Sequence, residues 1–253
     1  MPSFDSKLIS VITIVYNNVQ SVEKTILSVI KNKTDFIEYI VIDGGSMDGT
    51  LDILQKYRSY IDVMVSEKDN GISDAFNKGI VRATGKWLLF LNSGDIFTDT
   101  IVIGKVYDTL KKNNGKMVCF YNVMLSNGAH TMPTQSMIDQ GKDMIVALAE
   151  IPHQGAFIQK AAFEKYGLFN TFFSLRMDYE FFARMRAETD TMEHINEVLA
   201  IYEFGGRSNQ RSNFELFLQE TISIKLKYRM KLTLGELARF FYLTLRRFLM
   251  GAN

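Results

Sequence analysis

Three aspartates follow stretches of the chain that predict buried β-strands. Asp43 ends the segment IEYIVID, Asp69 follows IDVMV at 61–65, and Asp95 follows WLLFL at 87–91. In a parallel α/β sheet, ligands bind beyond the carboxyl ends of the strands. Carboxylates accept hydrogen bonds from a ligand and bind hard divalent cations. The sequence therefore predicts one edge of a sheet where three acids gather to meet a polar ligand.

The elements that would position these acids alternate between strands and helices. A continuous run of mainly β-branched residues predicts a buried strand at 8–15, and further strands are predicted at 37–42, 61–65 and 87–91. Apolar residues at helical spacing predict helices between them at 21–30, 47–57 and 71–81. After residue 95 the alternation is less regular. Helices are expected at 102–112, 161–166 and 178–186, and strands at 117–125, 155–158 and 195–204. A helix or loop is expected at 139–149. This alternation predicts an α/β fold with a mixed, mainly parallel sheet wound with helices.

Composition narrows the class of protein. The 253 residues are 47% hydrophobic and 23% charged, which is typical of a globular chain. A net charge of +1 argues against a dedicated nucleic-acid binder. The single cysteine, Cys119, excludes an internal disulfide and fits a reducing compartment. With a polar N-terminus and no long apolar run, we expect neither a signal peptide nor a spanning helix, and a cytoplasmic location.

The C-terminal segment 221–253 differs from the rest. It carries seven Lys and Arg residues against one acid, Glu236, whereas residues 1–220 carry a net negative charge. Leu237, Phe241 and Leu245 recur at helical spacing, which predicts a basic amphipathic helix. Such helices lie in membrane interfaces. The alternative is a helix packed on the catalytic domain or on a second subunit, and a homo-oligomer stays open.

Six segments, taken in order, resemble the family 2 glycosyltransferases of the GT-A fold. They are VITIVYNN (11–18), VIDGGSMDGT (41–50), SEKDNGISDAFNKGI (66–80), GKWLLFLNSGD (85–95), HQGAFI (153–158) and RMDYEFFARM (176–185). The resemblance covers about 1–205 and extends to bacterial O-antigen, capsule and colanic-acid transferases. It implies a catalytic domain at 1–220, with a donor-binding half at 1–100 and an acceptor-binding half at 101–220, followed by the tail.

The resemblance also implies an activity. We expect inverting transfer from a UDP-sugar to a saccharide acceptor carried on a polyprenyl diphosphate, at the inner face of the cytoplasmic membrane. The implied donor-binding residues are Thr13, Val15, Tyr16, Asp43, Asp69, Asn77, Ser93, Asp95 and Arg207. Asp43 would contact uracil, although a turn-forming Asp before Gly-Gly explains it equally well. Arg207 would close over the diphosphate, or be an ordinary surface arginine.

The segment Asn92-Ser93-Gly94-Asp95 stands where relatives carry the acidic DXD motif. Its first acid is replaced by Asn92, which leaves Asp95 as the expected ligand for Mn²⁺ or Mg²⁺. This departure motivates an alternative from another class, a non-catalytic nucleotide-sugar-binding or scaffold protein. A nucleotidyltransferase is disfavoured because the loop after the first strand is not rich in glycine.

The segment Arg176-Met177-Asp178-Tyr179-Glu180 resembles the acidic catalytic segment of the family. It implies that Asp178 is the base that takes the acceptor proton. The alternative is an acid that merely stabilises the start of a helix. Glu180 competes for the role, but two residues away on a helix it would point elsewhere. His153 and Gln154 match a segment beside the acceptor, and His153 on its own is more often structural.

Overall fold

A computed structural model describes residues 7–98, 102–126, 131–133, 151–185, 191–203 and 211–250. Arg207 and the element expected at 139–149 lie outside these ranges. The first half consists of β1 (Ile9–Val15), α1 (Val22–Asn32), β2 (Ile37–Asp43), α2 (Thr50–Lys56), β3 (Val63–Ser66), α3 (Ile72–Arg82), β4 (Trp87–Phe90) and β5 (Ile96–Phe97). The second consists of α4 (Val102–Lys112), β6 (Val118–Ser126), β7 (Thr131–Pro133), β8 (Ala156–Gln159), α5 (Lys160–Tyr166), α6 (Met177–Met185), β9 (Met192–Glu203), α7 (Phe214–Lys227) and α8 (Leu234–Met250).

One sheet runs through the described residues in the order β3-β2-β1-β4-β8-β6-β9-β5, with β7 added beside β6. The strands β1 to β4 pair in parallel, so their carboxyl ends lie at one edge. Beyond β4 the sheet becomes mixed, because β8 is antiparallel to both β4 and β6, whereas β9 is parallel to β6. The predicted α/β fold with a mixed sheet is confirmed.

Burial on both faces explains why the first strands are rich in apolar residues. In β1, Ile12 packs in one apolar cluster with Phe76 of α3, whereas Val11 packs in the opposite cluster with Ile26 of α1. The helix α3 lies very close to β1, since a Cβ on Gly79 would fall 2.5 Å from Ile12 Cγ2. A strand between two helical layers is therefore mostly apolar, and the buried Thr13 hydroxyl of β1 is hydrogen-bonded to Leu91 O.

The helix α7 crosses the boundary expected between residues 220 and 221. Its buried residues lie on both sides of that point: Leu218, Glu220, Thr221, Ile222 and Ile224. Ile224 is fully buried in the same apolar cluster as α6. The basic tail therefore begins inside the packed part of the chain, and α8 begins only after the turn at 228–233.

A capping box starts α8. Thr233 Oγ1 accepts a hydrogen bond from Glu236 N (3.2 Å), and Glu236 Oε2 accepts one from Thr233 N (2.7 Å). Lys225 of α7 forms an ion pair with Glu236 at 2.6 Å, which ties the two helices together. Across the residues described, we find no helix both long and apolar enough to span a bilayer.

Candidate active site

Tyr16, Gly44 and Asp69 meet at the carboxyl edge of the parallel strands. A Cβ on Gly44 would fall 2.4 Å from Asp69 Oδ2 and 3.3 Å from Tyr16 Cδ2, so only glycine leaves room for this arrangement. The Tyr16 side chain is 63% exposed, whereas Asp69 is half-buried and accepts a hydrogen bond from Gly71 N at 2.9 Å. An exposed aromatic ring beside a carboxylate can hold a planar, hydrogen-bonding ligand such as a nucleobase.

Asp43 is fully buried at the end of β2, beside this cluster. Its carboxylate accepts hydrogen bonds from the hydroxyls of Ser46 (2.5 Å) and Ser66 (2.6 Å), and from the backbone N–H of Ser46. These bonds fix the turn after β2 to the end of β3. These contacts agree with the interpretation of Asp43 as a turn-forming residue. A hydrogen bond between Asp43 and the uracil of the donor stays a prediction.

The Asn92–Asp95 turn follows β4 at the same edge. Gly94 adopts φ = +107°, a conformation that favours glycine, and its N–H donates to Thr25 Oγ1 at 2.8 Å. Asn18 Nδ2 donates to Ser93 Oγ at 2.9 Å, and Asn18 N donates to Thr50 Oγ1 at 2.9 Å. Asn18 therefore joins the loops that follow β1 and β4 to the start of α2. No sequence pattern indicates this role of Asn18.

Asp95 offers one acidic ligand at this turn. The residue is 6% exposed, and its backbone carbonyl accepts a hydrogen bond from Thr25 Oγ1 at 2.8 Å. Burial, followed by the negative charge of Asp95, raises the pKa of Tyr202 on β9. No group of three or more His, Cys, Asp or Glu side chains that could hold a metal occurs in the described ranges. One carboxylate fits Mg²⁺ or Mn²⁺ where substrate phosphates supply further oxygens.

Asp178 lies in the first turn of α6 and is joined to the Asn92–Asp95 turn through His153. His153 Nδ1 lies 2.9 Å from Asp178 Oδ2, and His153 Nε2 lies 2.9 Å from Asn92 Nδ2. The Asp178 side chain is 20% exposed, and Oδ1 accepts a hydrogen bond from Tyr179 N at 2.7 Å. The structure thus brings together three residues that are 61 and 25 positions apart in sequence.

The environment of Asp178 favours its charged form. Burial raises the pKa of this carboxyl, but the hydrogen bond from His153, the electrostatic attraction of that ring and the positive charge of Arg176 outweigh burial, so that the pKa lies below its ordinary value. Arg176 is itself held between two rings, 4.0 Å from the Tyr179 centroid and 4.5 Å from that of Phe217. A partly exposed, ionised carboxylate can accept a proton from a substrate hydroxyl.

The loop before α6 is fixed from two sides. On the α3 side, Ser73 Oγ donates to Phe173 O at 2.6 Å, and the Asn77 amide makes two hydrogen bonds with the backbone of Phe169 (2.9 and 3.0 Å). On the α7 side, the Glu220 carboxylate accepts three backbone N–H bonds, from residues 174, 175 and 176, at 2.7, 2.9 and 2.9 Å. Both helices therefore position the segment that leads to Asp178.

Glu180 makes different contacts from Asp178. It is 1% exposed, and it pairs with Arg184 at 2.9 Å, with Lys227 at 3.2 Å and with the Tyr228 hydroxyl. This cluster joins α6 to the end of α7. Because the carboxylate is buried among basic partners, it is poorly placed to meet an acceptor.

The other predicted site residues occupy varied places. Thr13 Oγ1 donates to Leu91 O at 2.7 Å inside the sheet, and Val15 is buried in the core. The amide of Asn77 is engaged with Phe169, and Gln154 is half-buried in the turn before β8. Donor contacts by these residues stay predictions. Glu220 was missed, although an acid among the buried positions of an amphipathic helix is a signal that could have indicated it.

Residues 10–189 match the family model described as glycosyl transferase family 2. This match spans most of the chain, so the protein belongs to this family and is a glycosyltransferase, as the resemblance predicted.

Individual relatives agree with this assignment. The chain is 27% identical over 224 residues to a PGL/p-HBAD biosynthesis glycosyltransferase of Mycobacterium bovis, covering 86% of each chain. The crystal structure of S. aureus TarS 1–349 in complex with UDP-GlcNAc has a TM-score of 0.70 at 18% identity, over 92% of this chain and 71% of that one. The chain spans 43% of the TarS chain in another crystal structure.

A third protein of the same fold is glucosyl-3-phosphoglycerate synthase from Mycobacterium tuberculosis, in a complex with Mn²⁺, UDP and glucosyl-3-phosphoglycerate. Its TM-score is 0.64 at 14% identity, over 90% of this chain and 82% of that one. Together these structures confirm the predicted GT-A fold.

Proposed function

We propose that the protein is an inverting glycosyltransferase that uses a UDP-sugar and that Asp178 is its general base. The observation that carries this proposal is the hydrogen-bonded connection from Asp178, through His153, to the Asn92–Asp95 turn at the carboxyl ends of the parallel strands. A base for direct displacement must lie beside the donor site. The ionised, one-fifth-exposed carboxylate of Asp178 supports that role.

The chemistry follows from a single displacement. Asp178 takes the proton of an acceptor hydroxyl as its oxygen attacks the anomeric carbon, while UDP departs from the opposite face. An α-linked donor then gives a β-linkage. The exposed ring of Tyr16, with Asp69 and Asp43 nearby, supports binding of the uracil and ribose at this edge. Complexes of two proteins of the same fold with UDP-GlcNAc and with UDP support the choice of nucleotide.

Asp95 would hold Mn²⁺ or Mg²⁺ together with the diphosphate of the donor. The cation would stabilise the negative charge that develops on the leaving diphosphate. The crystallisation of glucosyl-3-phosphoglycerate synthase with Mn²⁺ supports this part of the proposal. Ser93, fixed by Asn18, would contact the ribose.

We further propose a saccharide acceptor on a polyprenyl diphosphate, as in bacterial surface polysaccharide assembly, with the protein peripheral at the inner face of the cytoplasmic membrane. The support is the tail. Leu234, Phe241 and Tyr242 of α8 are exposed (85%, 68% and 63%), and Lys and Arg residues accompany them. Apolar and basic groups together favour an anionic lipid surface.

The test compares Asp178→Asn with the wild type in two measurements. Calorimetry with UDP and Mn²⁺ should give nearly the same affinity, because the change keeps the size of the side chain and removes only its basicity. Transfer from UDP-sugars to an acceptor panel should be lost. Near-normal turnover by the variant would refute the role of Asp178. In the same calorimetric assay, Asp95→Ala should weaken UDP binding with Mn²⁺ and change it little without the metal.

A further inference from the structure

The residue at the first position of the Asn92–Asp95 turn contacts the proposed base through one histidine. Asn92 Nδ2 lies 2.9 Å from His153 Nε2, and His153 Nδ1 lies 2.9 Å from Asp178 Oδ2. An amide nitrogen has hydrogens and no acceptor capacity, so it can only donate. Nε2 must then accept with its lone pair. In this arrangement a ring proton lies on Nδ1, which donates to Asp178.

The surroundings hold this ring in place. His153 begins the short turn at 153–155, its side chain is 14% exposed, and its ring packs edge-on against Phe76 at a centroid distance of 5.7 Å. Asp178 is held at both oxygens, by His153 at Oδ2 and by Tyr179 N at Oδ1. One further charged group, Arg176 just before α6, lowers the pKa of Asp178 through its positive charge.

We propose that Asn92 and His153 are positioning residues for the base, and that Asn92 selects the neutral Nδ1–H form of His153. This inference rests on the proposed role of Asp178. A carboxylate at position 92 would accept a hydrogen bond instead of donating one. His153 would then carry protons on both nitrogens, as an imidazolium between two carboxylates. A full positive charge 2.9 Å from Asp178 would make that carboxylate a weaker base.

Asn92 then has a function of its own. Its amide orients His153 and, through it, the base Asp178, so the replacement of an acid by Asn92 is more than the loss of a metal ligand. Placing an acid at this position should therefore slow the enzyme. If Asn92 were only a lost metal ligand, the same change would restore the ligand and speed the enzyme.

The experiment uses the full-length Asn92→Asp variant, with Asn114→Asp as the matched control. Asn114 is exposed in the turn after α4 and contacts Lys86, at the end of β4 opposite to the Asn92–Asp95 turn, and the change adds the same charge. Two-dimensional ¹H–¹⁵N spectra of the histidine rings report the tautomer directly. The chain has three histidines, and His153→Gln identifies the signals of His153.

We expect the wild type and Asn114→Asp to show the Nδ1–H tautomer for His153, and Asn92→Asp to show the imidazolium pattern under the same conditions. The kcat of Asn92→Asp should fall about tenfold or more, while its donor KM stays within about twofold. Unchanged His153 signals, or a kcat equal to or above that of the wild type, would overturn the inference.

The failure of this inference is distinguishable from the failure of the proposed function. If Asp178→Asn retains transfer, the base is another group and the proposed function fails, whatever the spectra show. If Asp178→Asn is inactive while Asn92→Asp keeps its tautomer and rate, only the role of Asn92 fails.

Discussion

Glu220 should be essential for the conformation of the segment that precedes Asp178. Its carboxylate is 5% exposed and accepts three backbone N–H bonds of 2.7–2.9 Å. A hydrogen bond to a charged group contributes about 1.5–3 kcal/mol, and the three share one carboxylate, so their contributions do not add in full. Glu220→Ala leaves three N–H groups without their acceptor, and we expect a loss of about 3–5 kcal/mol in the free energy of unfolding.

For a chain of this length, that loss corresponds to a fall in Tm of about 6–20 °C. Glu220→Gln keeps one acceptor oxygen and should lose about half as much free energy. Below the Tm, kcat should fall more than donor affinity, because the loop positions the base and not the nucleotide. Glu215→Gln, on the first turn of the same helix, is the control and should change stability by about 0.5 kcal/mol or less. The reasoning is refuted if Glu220→Ala melts within a degree of the control, or if its folded fraction keeps normal kcat.

Three further predictions concern other parts of the site. Gly44→Ala should displace the Asp69 carboxylate and weaken UDP binding about tenfold in calorimetry, whereas Gly115→Ala, which meets no atom within 4 Å, should leave it unchanged. Glu180→Gln should lower the free energy of unfolding by about 1–3 kcal/mol yet retain transfer, since its carboxylate is a structural ion-pair partner; an inactive but folded variant would contradict this. Because folding lowers the pKa of Asp178, its charge stabilises the protein above the unfolded pKa near about 4, and this contribution is lost as pH falls through the folded value. The stability gap between wild type and Asp178→Asn in urea unfolding should therefore shrink on acidification, and a gap independent of pH would count against the assignment.

The fold could be predicted because burial leaves a direct trace in sequence. A strand covered on both faces is mostly apolar, as 9–15 and 37–42 are, and its few buried polar side chains find partners: Ser10 donates to Glu38, and Thr13 donates to Leu91 O. The acids at the strand ends followed from the parallel order alone. Their partners did not, because hydrogen bonds such as those of Asp43 with Ser46 and Ser66 depend on turn geometry that no periodicity encodes.

Side chains that connect distant segments were the hardest to assign. Asn77 lies on α3 beside the site, yet its amide bonds the backbone of Phe169, 92 residues away. From the sequence, Asn92 is interpreted only as the replacement of an acid, whereas in the structure its amide contacts His153. Sequence patterns report burial and local turns, whereas long-range hydrogen bonds require the three-dimensional position of both partners.

The basic tail allows two truncations with opposite expected outcomes. Ending the chain after residue 220 removes Ile222 and Ile224, which are buried, and also Lys227 and Tyr228, which pair with Glu180. Each buried isoleucine contributes about 1.5–3 kcal/mol, so this protein should unfold at a much lower temperature. Ending the chain after Met230 spares these contacts and removes α8 with Lys231 and three arginines.

The longer truncated protein should keep its UDP affinity and its Tm to within about 2 °C, because Leu234, Phe241 and Tyr242 of α8 are exposed and bury little surface on the rest of the chain. In a flotation assay, the full-length protein should float with phosphatidylglycerol vesicles and the truncated protein should not. The four lost cations contribute about 1 kcal/mol each to binding at an anionic surface. Flotation of both proteins to the same extent would show that α8 does not bind lipid. The membrane contact would then have to be assigned elsewhere, and the exposed face of α8 would suit a second subunit better.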